Sequence, residues 1–157
     1  MQNFFSWLDR CIDLKSSGCV VKTSSQRSHI VYQYCVGKNQ VDDQGRLNIC
    51  PVSYVLLPAK CTQRHLLSLM SDPFRIPSAK ESLSQIKMRL AEKLNVSGIR
   101  MLMVENAELQ DIDVLKTLFD LARLLNVPCI LVGDKGLVKM LSADEQLRRR
   151  FSEVFSL

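Results

Sequence analysis

Two stretches of this 157-residue chain carry residue types that could handle a nucleoside triphosphate. Met101-Leu102-Met103-Val104 is an apolar run that ends in Glu105-Asn106. A buried strand closed by two acidic residues can hold a magnesium shell with the first and orient an attacking water with the second. Glu105 keeps the charge, on a longer arm than an aspartate. Asn106 cannot accept a proton, so the water-activating role is missing. The other stretch, Lys22-Thr23-Ser24-Ser25-Gln26-Arg27-Ser28-His29, follows the apolar run Cys19-Val20-Val21. A phosphate cradle at this place needs glycines, whose positive φ turns backbone amides inward, and a Lys ahead of a Ser or Thr. The stretch has no glycine, and Arg27-Ser28 imitates a Lys-Ser pair only if the loop slips by one place.

Other chemistries find less. His29 and His65 have no acidic or cysteine neighbour at ligand spacing, so a metal site is not expected. Ser24, Ser25 and Ser28 lack the Gly-x-Ser-x-Gly setting of an activated nucleophile. The six cysteines form no Cys-x-x-Cys pair and sit mostly in apolar stretches, as reduced, buried thiols do. Arg148-Arg149-Arg150 ends a helical stretch, where cations offset the helix dipole.

The elements that must position these residues follow from periodicity. Phe4, Phe5, Leu8, Cys11 and Ile12 mark a first amphipathic helix. Cys19-Val20-Val21 is a strand, and Ile30 to Cys35 reads as a short helix, with a strand as the alternative. Gly37 to Asn48 is a polar surface loop by composition. Val52 to Leu57 is a second strand, stopped by Pro58, and Gln63 to Met70 a helix. Ser78-Ala79-Lys80-Glu81 has the form of a capping box, opening a helix that buries Leu83, Ile86, Leu90 and Leu94. Met101 to Val104 is a third strand; Ile112, Leu115, Leu118, Ala122 and Leu125 share one face of a long helix. Cys129 to Val132 is a fourth strand, and a second capping box, Ser142-Ala143-Asp144-Glu145, starts a last helix. Short apolar strands separated by helices predict a parallel sheet covered on both faces. Ligands of such sheets bind at the carboxyl ends of the strands, here the loops at Lys22, Pro58, Glu105 and Gly133.

Composition sets the outer bounds. Residues 1–157 are expected to form a single α/β domain, with 46% hydrophobic and 24% charged residues. No apolar run approaches the roughly 18 residues of a membrane span. The opening Met1 to Arg10 does not read as a signal peptide, so a cytoplasmic protein is expected. The net charge of +5 is compatible with a nucleic-acid partner.

Taken in order, Trp7-Leu8-Asp9, the loop after Val21, Pro51 to Val55, Met101 to Asn106, Leu131-Val132-Gly133-Asp134 and Asp144-Glu145-Gln146-Leu147-Arg148-Arg149-Arg150-Phe151 resemble the TnsC/TniB-type AAA+ ATPases. These are target-selecting regulators of transposition, and the resemblance is closest to those of CRISPR-associated transposons. It implies a three-layer P-loop NTPase fold and an ATP-dependent helical filament wound on duplex DNA. On that resemblance Lys60 and Arg64, then Lys80 and Ser82, fall where the family grips one DNA strand. Arg150 falls on the arginine finger that reaches the neighbouring subunit's nucleotide.

The nucleotide motifs depart from the family. Ser28 stands at the place of the phosphate-binding lysine and His29 at the following Thr. The acidic pair is Glu105-Asn106, and Asp134 replaces the Thr after Val132-Gly133. The sequence also stops at Leu157, where the family continues into a helical lid. The site of Lys22, Arg27, Ser28, His29, Glu105, Asn106 and Asp134 is therefore expected to be a degenerate nucleotide site of a pseudo-ATPase, without cofactor. The leading expectation is a nucleotide-independent, sequence-independent double-stranded DNA-binding protein, domesticated from a transposon, nucleoid-associated and self-associating into a filament. In that filament Arg150 is expected to meet an acidic group of the next subunit, such as Glu105 or Asp134. The alternatives are a regulator that joins or caps filaments of an intact TnsC-type ATPase, and a residual weak ATPase.

Overall fold

The computed structural model describes residues 2–24, 28–77, 80–151 and 153–157. Helix α1 (Gln2–Leu14) leads into strand β1 (Gly18–Val21), and α2 (Ser28–Val36) follows, a helix rather than the alternative strand. Then come β2 (Gln40–Val41), β3 (Leu47–Ile49), β4 (Val52–Leu56), α3 (Gln63–Ser71) and α4 (Leu83–Val96). Strand β5 (Met101–Glu105), α5 (Ile112–Leu125), β6 (Cys129–Gly133), α6 (Gly136–Ser142), α7 (Glu145–Arg150) and β7 (Glu153–Ser156) complete the chain. The main sheet has the order β4-β5-β6-β1-β7, and every pairing in it is parallel.

Strand alternation sends successive side chains into two separate cores. Cys19, Leu102, Val104 and Leu131 pack with residues of α3, α4 and α5, such as Leu67, Leu90 and Leu118. Val20, Met101, Met103, Ile130 and Val132 pack on the other face with α1 and α2, through Phe4, Leu8, Val31 and Tyr34. All six cysteines are free and buried. Burial pushes the thiols of Cys11 and Cys19 up to about 11 and those of Cys35 and Cys50 up to about 12, so they act as packing groups.

Four expectations need correction. The polar stretch after Gly37 is not a plain loop: β2 and β3 pair antiparallel around a turn in which the Asp42 carboxylate accepts from the backbone of Gln44 and Arg46, and Gly45 takes φ +76°. The sheet has a fifth strand, β7, which lies beside β1 at the edge, and α6 was not anticipated. Helix α4 starts later than the Ser78 box implies; its capping box is Ser82 with Gln85, and Leu83 is left exposed. Ser78 itself lies outside the described residues. The second box also moves: Asp144 caps α7 by accepting from the Leu147 amide, while the Ser142 hydroxyl donates back to the Val138 carbonyl.

Candidate functional site at the carboxyl edge of the sheet

Because all five strands run the same way, Lys22, Leu57-Pro58, Asn106 and Asp134 leave the sheet on one edge. Backbone bonds pin this edge: the Lys22 amide donates to Gly133 O at 2.8 Å and the Leu57 amide to Glu105 O at 3.2 Å. Position 105 is the last residue of an interior strand, and its side chain is fully buried.

A buried carboxylate needs donors, and Glu105 has three. The Lys22 ammonium forms an ion pair with Oε1, and the Ser28 hydroxyl donates to the same oxygen. The Tyr54 hydroxyl, arriving from β4, donates to Oε2. Lys22 also donates to Ser28 Oγ at 2.7 Å, which closes the cluster. Burial alone would raise the Glu105 carboxyl, but donation from Lys22, Ser28 and Tyr54, with the Lys22 charge, outweighs it and holds the group below the usual carboxylate range. Burial and the bond to Glu105 push the Tyr54 phenol well up, so it stays a donor. Sequence reasoning missed Tyr54. The signal available was a phenol in a strand whose other large side chains are aliphatic, since a hydroxyl carried toward the core must find a partner.

The Lys22 ammonium and the Ser28 hydroxyl are the two groups here best suited by type to a phosphate, and both are engaged by Glu105. Together with a loop that lacks glycine, this donor set does not fit a nucleotide's phosphates. Asn106 takes a left-handed φ of 63° and donates from its carboxamide to Leu57 O at 2.9 Å, so it ties two strand ends together. Asp134 is exposed and accepts from the Gly136 amide at 2.8 Å. His29 is exposed on the first turn of α2, and Arg27 lies outside the described residues. Glu108 Oε2 is buried without a partner among the described residues, and burial, with the Asp134 charge adding to it, raises its carboxyl.

The cationic segment lies on the same edge. Buried Gln110, also missed from sequence, fixes it: its carboxamide accepts from the Cys61 amide at 3.1 Å and donates to Pro58 O at 2.8 Å. The Lys60 amide bonds Leu109 O, and the Thr62 hydroxyl caps α3. Arg64 donates to Glu81 O at 2.8 Å, which brings it against the Lys80–Ser82 entry to α4. Lys60, Arg64, Lys80 and Ser82 are therefore carried by two neighbouring helix starts, with Lys60, Arg64 and Lys80 exposed.

Arg150 is elsewhere. It is exposed at the end of α7, with its guanidinium 5.5 Å from the Phe119 ring centroid. The next strand begins at Glu153, in register with Gly18, so Arg150 lies near the amino edge of the sheet. Glu105, buried and paired with Lys22, is not available to an arginine from another subunit, which removes it as a receiver. Asp134, by contrast, is exposed.

A family model described as "Bacterial TniB protein" matches residues 15–156. No curated protein matches the chain. Among solved structures, the chain is similar to one described as "Structure of Drosophila ORC bound to DNA", at 17% identity and a TM-score of 0.59. That match covers 99% of this chain and 87% of the other, and at this identity the likeness is one of fold. The architecture is a P-loop-NTPase-like α/β fold, a parallel five-stranded sheet flanked by helices, shared with that structure. Among the described residues, no helix is long and apolar enough to cross a membrane.

Proposed function

This chain belongs to the TniB family, and on that premise we propose that it is a pseudo-ATPase that binds duplex DNA without nucleotide. The observation that carries the reading is the buried Glu105 carboxylate, held by Lys22, Ser28 and Tyr54 where a nucleotide's phosphates would need free donors. The same edge presents three exposed cations to solvent, Lys60, Arg64 and Lys80, on a loop and two helix starts held in place by Gln110 and the Arg64–Glu81 bond. Such a surface suits phosphate-backbone contacts, which carry no sequence information. The DNA-bound ORC of similar fold is in keeping with that partner.

The protein assembles head to tail on DNA through Arg150, near the amino edge, and Asp134, exposed on the next subunit's carboxyl edge. A heterologous contact that does not close generates a filament. It is a nucleoid-associated protein domesticated from a transposon. A second reading is favoured by the same asymmetry. A subunit with an exposed Arg150 and a filled nucleotide site can join a filament of an intact TnsC-type ATPase and cap it.

Fluorescence anisotropy on labelled duplex DNA, with and without magnesium ATP, tests the first reading. The expected result is equal binding in both, together with no thermal shift on adding nucleotide. A ligand at 100 times its Kd would add about 2.7 kcal/mol of stability, which a melting curve resolves. DNA binding that depends on ATP overturns the reading. Failure to bind DNA alone, with binding restored by an intact relative, leaves the capping reading in its place.

A further inference from the structure

Strand β4 is an edge of the main sheet, and its outer side has one occupant only in part. The Met101 amide donates to Pro51 O and the Leu57 amide to Glu105 O, so odd-numbered residues of β4 bond to β5. By the alternation of a parallel ladder, Val52, Tyr54 and Leu56 turn their backbone groups outward. At Val52 the Asn39 carboxamide imitates a neighbouring strand, donating to Val52 O at 2.8 Å and accepting from its amide at 3.3 Å. For Tyr54 and Leu56, no outward backbone partner occurs among the described residues.

Beside this free ladder is a cleft of about 320 Å³ between α2, the β2–β3 hairpin and the end of α3. Cys35, Leu47, Met70 and Phe74 form its walls, and among the described residues no charged side chain lines it. Tyr32, Val36 and Val41 stand at its rim, each more than half exposed, and Leu56 is 56% exposed on the same edge. Exposed apolar side chains gathered at one place mark an interaction surface. The absence of charge from the cleft rules against a phosphate backbone, and the unpaired backbone groups call for another backbone.

We propose that the free edge of β4 and its cleft form a docking site for an extended, uncharged segment of a partner protein. The segment's backbone pairs with Tyr54 and Leu56, and a large apolar side chain fills the cleft. The site is separate from the cationic surface and does not depend on the DNA reading.

The probe is a labelled peptide of alternating threonine with valine or phenylalanine, titrated to about 1 mM against the isotope-labelled full chain. Its control has the same sequence with alternate amides N-methylated. The expected result is that the first peptide shifts and protects the amides of Tyr54 and Leu56, and the methylated one does not. Leu56→Pro removes one outward N–H while leaving the bonds to β5, a place where an edge strand tolerates proline. It should weaken binding about tenfold or more with the fold retained. Val36→Lys, at the rim, should weaken binding similarly without touching the ladder. Unmoved amides at the top of the titration, or equal binding of the methylated peptide, overturn the proposal. A dimer of the protein alone that Leu56→Pro abolishes places a second copy on this edge and overturns it as well.

Discussion

The Lys22 ammonium and the Glu105 carboxylate form an ion pair inside the carboxyl edge of the sheet, with Lys22 nearly and Glu105 wholly removed from solvent. Removing one member of such a pair leaves the other buried and uncompensated, which costs about 3–5 kcal/mol. Lys22→Met should therefore lower the unfolding free energy by roughly that amount. The double variant Lys22→Met/Glu105→Gln should recover a large part of the loss, because neither charge is then stranded. Urea unfolding of the four proteins in the cycle measures the coupling, and additive losses would show that the two groups do not interact.

The pH dependence has a fixed sign. The folded Glu105 carboxyl is held below its ordinary value by Lys22, Ser28 and Tyr54 against the effect of burial. Its contribution is thus present above the unfolded value of about 4.3 and is lost as pH falls through the lower folded value. The melting temperature of the native chain should fall more steeply below about pH 4.3 than that of Glu105→Gln. Parallel acid profiles for the two proteins would refute the assignment.

Much of this site was legible in the residues themselves. An apolar strand ending in Glu105 and a polar loop after Val21 place both at the carboxyl edge of a parallel sheet. Which groups fill the space was not legible, because the Tyr54–Glu105 bond joins residues brought together only by the β4–β5 register. The fifth strand was hidden for a related reason. Glu153 to Ser156 holds only two apolar residues, Val154 and Phe155, between polar ones, a weak signal beside the apolar runs of interior strands, and it follows three arginines. The α4 start was misplaced because two serines, Ser78 and Ser82, each stand three residues before a Glu or Gln, and local spacing cannot choose between them. The Arg64 bond to Glu81 O holds the chain just ahead of the true start.

Glu108 should behave in the opposite sense from Glu105. Its Oε2 is buried without a partner among the described residues, and burial, helped by the Asp134 charge, raises the carboxyl. A raised folded value means that stability is fully present below the unfolded value and is lost as pH rises through the folded one. Glu108→Gln removes that loss at nearly constant shape. Its melting temperature should exceed that of the native chain at pH 7 and converge with it below about pH 4. A lower melting temperature at pH 7 would mean that the ionised carboxylate has a cationic partner.

The exposed cations Lys60 and Arg64 should set the salt dependence of DNA binding. Each phosphate neutralised on duplex DNA contributes roughly 0.9 to the slope of log affinity against log salt. Replacing Lys60 and Arg64 together by Ala should flatten that slope by about 2 per engaged subunit and weaken binding to all sequences alike. The Arg64 bond to Glu81 O also steadies the entry to α4, so the melting temperature of the variant must be checked before the loss is assigned to charge. Ser82→Ala should leave the slope unchanged, since a hydroxyl releases no counterion, while costing about 1 kcal/mol of stability through the lost cap of α4. Lys38 with Arg46 is the control pair. Lys38 is matched by Asp9 at 3.2 Å and Arg46 by Asp42 at 2.9 Å, so each is already neutralised within the fold. Removing them should leave the slope almost unchanged. Equal losses from the two pairs would mean a diffuse attraction of a cation-rich chain to DNA, and the α3–α4 surface would no longer be the DNA contact.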